Sequence, residues 1–175
     1  MNTIQLVVDM MGNKDVKKYF RGVFPADKLP TRFKKPALLI ANTDPSTQKG
    51  SHWVAFYVPK SGKPEYFDSL GRSPHKKEFL QFLRKQSKTF THNKKRLQGS
   101  FSTTCGNYCG VYLYFKSKKS SFERFLKLFS DKDFQLNDEK ILDLYKKIFH
   151  HSNTKKVQIG GCQIFCNQTC EPCSM

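Results

Sequence analysis

Cys105 stands in the run Gln-Gly-Ser-Phe-Ser-Thr-Thr-Cys-Gly-Asn-Tyr-Cys-Gly-Val-Tyr at 98–112. Small residues there give way to an almost unbroken apolar segment, 108–115. That pattern places a cysteine at the start of a buried helix. At such a position the helix dipole and the unpaired amides of the first turn stabilise a thiolate, the nucleophilic form of cysteine. Taken alone, Cys105 reads more readily as a small buried apolar residue, as most free cysteines are. A thiol nucleophile also needs a base, a group that orients the base, and donors for an oxyanion. His52 stands at the mouth of the aromatic-rich run 53–58, and Asp68 closes the short run 65–68. Gln98, seven residues before Cys105, can bring a side-chain amide beside the Cys105 backbone N–H. Each residue by itself is ordinary: a histidine at a strand edge, an Asp-Ser turn, a lone glutamine. Their conjunction is the signal.

The elements that must position these groups follow from periodicity and punctuation. An apolar run closed by Gly12 predicts a helix over 1–12, and the Lys- and Arg-rich stretch 14–35, broken by Gly22, Pro25 and Pro30, predicts turns and short pieces. Strands are expected at 36–42, 52–58 and 65–68, the last two as a hairpin able to hold His52 and Asp68 side by side. Ser73-Pro74 offers an N-cap with proline in the first turn for a helix buried through Phe79, Leu80, Phe82 and Leu83. A short strand is expected near 89–91. After the Cys105 helix, Phe122, Phe125, Leu126 and Phe129 mark an amphipathic segment. Asn137 is the expected cap of a final helix with Ile141, Leu144, Tyr145 and Ile148 inward. Helices and strands without strict alternation indicate an α+β fold. The expected division is one domain, 1–151, and a cysteine-rich tail, 152–175.

Lys plus Arg number 31 against 14 Asp plus Glu, a formal net charge of +17. Such an excess is self-repulsive unless a polyanion neutralises it, so salt-sensitive, sequence-independent contact with nucleic acid is expected. No apolar run approaches the ~20 residues that a membrane-spanning helix needs. The first residues lack a basic leader ahead of an apolar stretch, and an intracellular protein is the expectation. In that setting six cysteines argue for catalysis, metal binding or conditional oxidation rather than a disulfide framework.

His52-Trp53, Phe67-Asp68-Ser69-Leu70-Gly71, Gln98 and Cys105-Gly106, in that order, resemble the adenovirus-type cysteine proteases and the related ubiquitin-like-protein proteases. Both are branches of a papain-related superfamily with the chain order His, Asp or Glu, then Cys. Tyr19-Phe20-Arg21-Gly22, Ile40-Ala41-Asn42-Thr43 and the Gln98-to-Cys105 step are similar to the adenovirus branch. The Asp68-Ser69 pair resembles the ubiquitin-like branch, because adenovirus enzymes commonly carry Glu there. The resemblance implies a central mixed sheet flanked by helices, with Cys105 at a buried helix N-terminus. It implies an endopeptidase of viral structural precursors that cuts after small residues, especially glycine. Cys105 would be the nucleophile, His52 the general base and then acid, and Asp68 the orienting group. Gln98 and the Cys105 amide would hold the oxyanion. Trp53 is expected to pack on the imidazole side, and Cys109, at i+4 from Cys105, to be core. No cofactor is implied for the chemistry. Stimulation by DNA and by a cysteine-bearing peptide is implied, in a monomer of the virion and host nucleus that contacts no membrane. The alternative within the same resemblance is a protease removing ubiquitin-like modifiers. A different class, a basic nucleic-acid-binding protein with a vestigial site, has the intact His52, Asp68, Gln98 and Cys105 set against it.

The tail departs from that pattern. Cys162, Cys166, Cys170 and Cys173 could offer four thiolates to zinc, although their spacing is not that of a familiar knuckle. Gly160-Gly161-Cys162 resembles a cleavage site of the same family, so self-processing after Gly161 is an expectation; an activating strand supplied in cis is the other.

Overall fold

The computed structural model describes residues 1–150 and, as backbone alone, two short paired strands at Gln158–Ile159 and Cys162–Gln163. Cys166, Cys170 and Cys173 lie outside the described residues, as does the proposed junction at Gly161, and Cys162 is described only as backbone.

α1 (Thr3–Gly12) is capped by Asn2, whose side chain accepts from the Gln5 amide at 2.9 Å, and it buries Leu6 and Met10 one turn apart. α2 (Lys14–Lys17) starts from Asn13, whose side-chain oxygen accepts from the amides of Asp15 and Val16. The chain then runs as a strand where turns were expected. β1 (Phe20–Phe24) pairs parallel with β2 (Ala37–Asn42), its register shifting between Phe20 and Gly22. Basic composition hid it, because an edge strand needs only one paired side and tolerates charge on the other. β2 pairs antiparallel with β3 (Trp53–Val58), and β3 antiparallel with β4 (Glu65–Phe67), the expected hairpin. β5 (Thr91–His92) joins β4 in parallel at the far edge. The result is a mixed five-stranded sheet in the order β1-β2-β3-β4-β5.

Period-2 alternation sends the two sides of this sheet into two cores. Leu39, Ala41, Val54, Phe56 and Tyr66 pack under α3 (Lys77–Gln86) through Phe79, Phe82 and Leu83. Leu38, Ile40, Ala55 and Phe67 face the other way, against α4 (Cys105–Ser117). β2 is consequently buried along its whole length. α4 is buried from Cys105 to Leu113 and, Asn107 apart, almost wholly apolar there, as a central helix must be. Around it lie α1, α5 (Phe122–Leu126) and α6 (Phe134–Tyr145), which continues into a π-helical turn at Lys146–His150. Tyr145 reaches across to α1, donating its hydroxyl to buried Asp9 at 2.7 Å.

Two helix starts differ from the sequence expectation. α3 begins after Lys76, which is extended at φ −73°, ψ 134°, because Pro74 is buried ahead of the helix instead of opening it. α6 begins a turn before Asn137: Asp133 caps it by accepting from the Leu136 amide at 2.9 Å. Asn137 sits inside the helix and uses its amide to hold Ser130 and Leu97. No helix among the described residues is long and apolar enough to cross a membrane.

Candidate active site

The hairpin sets the first two groups. Its last registered pair is Ala55 with Phe67, so continuing the ladder places Val54 opposite Asp68. His52, just before β3, and Asp68, just after β4, therefore stand at the same end of the hairpin. His52 Nε2 lies 2.7 Å from Asp68 Oδ1. Asp68 is almost fully buried, and the same oxygen accepts from the Leu70 amide at 2.8 Å, which fixes the carboxylate plane. The backbone around it is pinned by Asn93. The Asn93 side chain accepts from the Asp68 amide at 3.0 Å and donates to the Asp68 carbonyl at 2.6 Å. Nothing in the sequence around Asn93 signals this role; it depends on β5 lying next to β4.

With Nε2 committed to Asp68, the other imidazole nitrogen is left for the Cys105 thiol, and each of the two groups shifts the protonation of the other. Cys105 begins α4 and is 8% exposed. Burial pushes the His52 pKa down, but hydrogen bonds and charges from Asp68 and Cys105 outweigh it and raise the value to about 9. Burial likewise pushes the Cys105 thiol up, and the His52 imidazolium together with the amides of Trp53 and Gly106 brings it below its ordinary value. Both shifts favour a thiolate–imidazolium pair, whose titration belongs to the pair rather than to either residue. Cys109, one turn on, is fully buried, and burial pushes its thiol well up, the behaviour of a core residue.

The strand-to-helix loop ahead of Cys105 is held from α6. Asp138 accepts from the Gly99 amide at 3.0 Å with one oxygen and from the Thr104 hydroxyl at 2.8 Å with the other. Thr104, the residue before the helix, therefore makes no side-chain cap bond to it. The first-turn amides of α4 have no intrahelical acceptor, as at any helix start. Gln98 is buried beside them. Its Nε2 donates to the Ser102 carbonyl and its Oε1 accepts from Ser69 Oγ, each at 2.6 Å. One amide hydrogen of Gln98 remains after the Ser102 bond. Ser69 thus ties the end of the hairpin to the glutamine, a link that sequence distance concealed.

His52, Gln98 and Cys105 line one open cleft of about 530 Å³, with Trp53, Leu70 and Arg72 on its walls. The structure therefore brings His52, Asp68, Cys105 and Gln98 together. Trp53 lies against the first turn of α4: its indole donates to the Met1 carbonyl at 3.3 Å, and a Cβ at Gly106 would come within 3.4 Å of its ring. The arrangement can hold a thiolate, shuttle a proton through His52 and offer donors to an oxygen that becomes negative. No group of three His, Cys, Asp or Glu side chains that could hold a metal occurs among the described residues.

No protein-family model matches the chain. An African swine fever virus enzyme named a SUMO-1 cysteine protease is 32% identical over 119 residues, covering 61% of this chain and 40% of the relative. A putative thiol protease of Acanthamoeba polyphaga mimivirus is 36% identical over 83 residues, covering 42% of this chain and 26% of the relative. A crystal structure of the African swine fever virus protease shares 26% identity at a TM-score of 0.50, covering 66% of this chain and 46% of that chain. The chain spans less than half the length of the curated relatives it matches. The likeness is to viral cysteine and thiol proteases as a class.

Proposed function

We propose that this chain is a cysteine endopeptidase that cuts virus-encoded precursor proteins after glycine or another small residue. The observation that carries the reading is the His52–Asp68 contact at 2.7 Å beside a thiol at the buried start of α4. Cys105 attacks the scissile carbonyl as the thiolate, and the oxyanion that forms is held by the Cys105 amide and the remaining Gln98 hydrogen. His52, charged in the resting pair, protonates the leaving amine; it then takes a proton from the water that hydrolyses the thioester. Asp68 keeps the imidazole oriented through both transfers. The viral relatives named cysteine and thiol proteases support peptide-bond cleavage, and the resemblance to adenovirus-type enzymes supplies the precursor substrate. The +17 net charge supports stimulation by DNA, which would confine activity to the genome, in the virion or host nucleus.

A second reading has its own observation. One relative is named for SUMO-1, and Asp68-Ser69 follows the pattern of proteases that remove ubiquitin-like modifiers. Both readings are tested by labelling the purified protein with a thiol-reactive peptide ending in Leu-x-Gly-Gly, with and without DNA, beside Cys105→Ala and His52→Ala. The expected result is modification of Cys105 alone, dependent on His52 and accelerated by DNA. Reaction with a ubiquitin-like protein probe but not with the peptide would favour the second reading. Failure of both reagents to mark Cys105 selectively would refute the enzyme.

A further inference from the structure

A cavity larger than the catalytic cleft lies elsewhere in the molecule. It measures about 940 Å³ and opens near the C-terminal end of α4. Lys116, on its wall, follows Cys105 by eleven residues on one helix, which separates the two sites by roughly 16 Å along the axis. Cations enter this basin from separate parts of the chain. Lys18 and Arg21 come from the start of β1, Lys34 and Lys35 from the approach to β2, and Lys60 from the turn after β3. Lys116 and Lys119 come from the end of α4.

Almost none of this charge is neutralised. Lys116 pairs with Glu65 at 2.9 Å, and the other oxygen of that carboxylate already accepts from the Tyr112 hydroxyl at 2.6 Å. Arg21 donates to the carbonyls of Phe20, Lys34 and Pro36, neutral acceptors that fix the guanidinium and leave its charge uncancelled. Among the described residues no carboxylate pairs with the remaining lysines of the basin. Lys119 is also the one non-glycine residue with positive φ among the described residues, at 59°, in the helix-ending position that favours glycine. Backbone in a sparsely populated conformation is a feature that clusters at ligand sites.

We infer that this basin binds a compact polyphosphate anion. Converging like charges repel unless an anion joins them, and several phosphate groups within one small molecule match cations arriving from every side. The volume lies in the range of small-molecule pockets, about 300–1,000 Å³. A charge stripe suited to a duplex would instead run along an open face. The two tyrosines of the basin do not favour a nucleobase: Lys18 lies 5.4 Å over the Tyr19 ring and Lys116 4.8 Å over the Tyr57 ring. Their rings hold lysines in place. Tyr57 stays a neutral hydroxyl donor, since burial and the nearby Glu65 push its pKa up.

The test is titration calorimetry with sodium tripolyphosphate at near-physiological salt, on the full chain and on two double variants of equal charge. Lys34→Glu with Lys60→Glu alters exposed lysines of the basin. Lys77→Glu with Lys88→Glu alters α3 and a residue two beyond its end, on the opposite face of the sheet. Circular dichroism confirms that each variant is folded. One saturable site is expected, weakened on the order of ten-fold or more by the basin pair and by less than about two-fold by the distant pair. A thymidine oligonucleotide of matched charge separates the sources of phosphate, and tripolyphosphate should displace it. The absence of saturable binding, equal weakening by both pairs, or oligonucleotide binding that tripolyphosphate does not displace would each overturn the assignment. Because the readout does not involve Cys105, none of these outcomes bears on the peptidase reading.

Discussion

Asp68→Asn preserves the shape of the residue and the oxygen that meets the Leu70 amide, and removes the charge that faces His52 at 2.7 Å. Hydrogen bonds to charged groups are worth about 1.5–3 kcal/mol net, which is about 1–2 pKa units at 1.36 kcal/mol per unit. The bare Coulomb energy of two charges about 4 Å apart, about 4 kcal/mol at an effective dielectric of 20, sets the upper bound, because asparagine retains part of the interaction. The sign follows from the cause. Asp68 and Cys105 together raise the His52 pKa to about 9 against the effect of burial, so loss of Asp68 lowers the upper limit of the ion pair by about 1–2 units. The thiolate then loses part of its cationic partner, so the Cys105 inflection rises. The active window contracts from both sides. Iodoacetamide alkylation of Cys105 as a function of pH reads the acid limb, and kcat/KM for a Gly-Gly peptide reads both limbs. If the basic limb of Asp68→Asn coincides with that of the parent, or the Cys105 inflection stays in place, the ion-pair argument is refuted.

The other expectations concern groups that act on the site from outside it. Ser69→Ala removes the hydroxyl that holds Gln98 Oε1 at 2.6 Å; kcat should fall roughly ten-fold or more while KM and the Cys105 alkylation rate hold. Equal changes in kcat and alkylation would point to a general loss of structure. Asp138→Ala frees the Gly99 amide and the Thr104 hydroxyl together, so kcat/KM should drop by up to about 100-fold through misplacement of the helix start. A calorimetric melt with a lowered Tm but unchanged kcat/KM would assign Asp138 to stability alone. Asn93→Ala leaves the buried Asp68 amide without its acceptor and should cost about 1–3 kcal/mol, measured as a shifted urea midpoint at constant slope. An unshifted midpoint would contradict it. Gly110→Ala would place a Cβ 2.6 Å from the Tyr145 ring and 3.0 Å from Met10, and should destabilise by about 1–3 kcal/mol in the same denaturation assay. Stability equal to the parent's would show that α6 can withdraw.

The sequence by itself determined which residues could make a thiol site and the local elements that carry them. A cysteine between small residues and an apolar run has to begin a buried helix. A histidine and an aspartate at the ends of two runs joined by a tight turn have to meet at one end of a hairpin. Local rules also yielded the mixed helix-and-strand class and the burial of Cys109. They failed where a distant partner decides the outcome. β1 forms in a basic stretch because β2 offers it an edge. Asn137 lies inside α6 because Leu97 and Ser130 take its amide, and Asp133 then serves as the cap. Asn93, Ser69 and Asp138 carry no signal in their own neighbourhoods; what they do is set by partners 25, 29 and 34 residues away. The basic basin is of the same kind. Along the chain its cations read only as part of a net positive excess that calls for a polyanion, and only the packing of β1, the β3 turn and the end of α4 brings them around one cavity. Local sequence fixes the backbone choices of a segment within a few residues, whereas charge and polarity converge on a point only when the sheet order brings remote segments together.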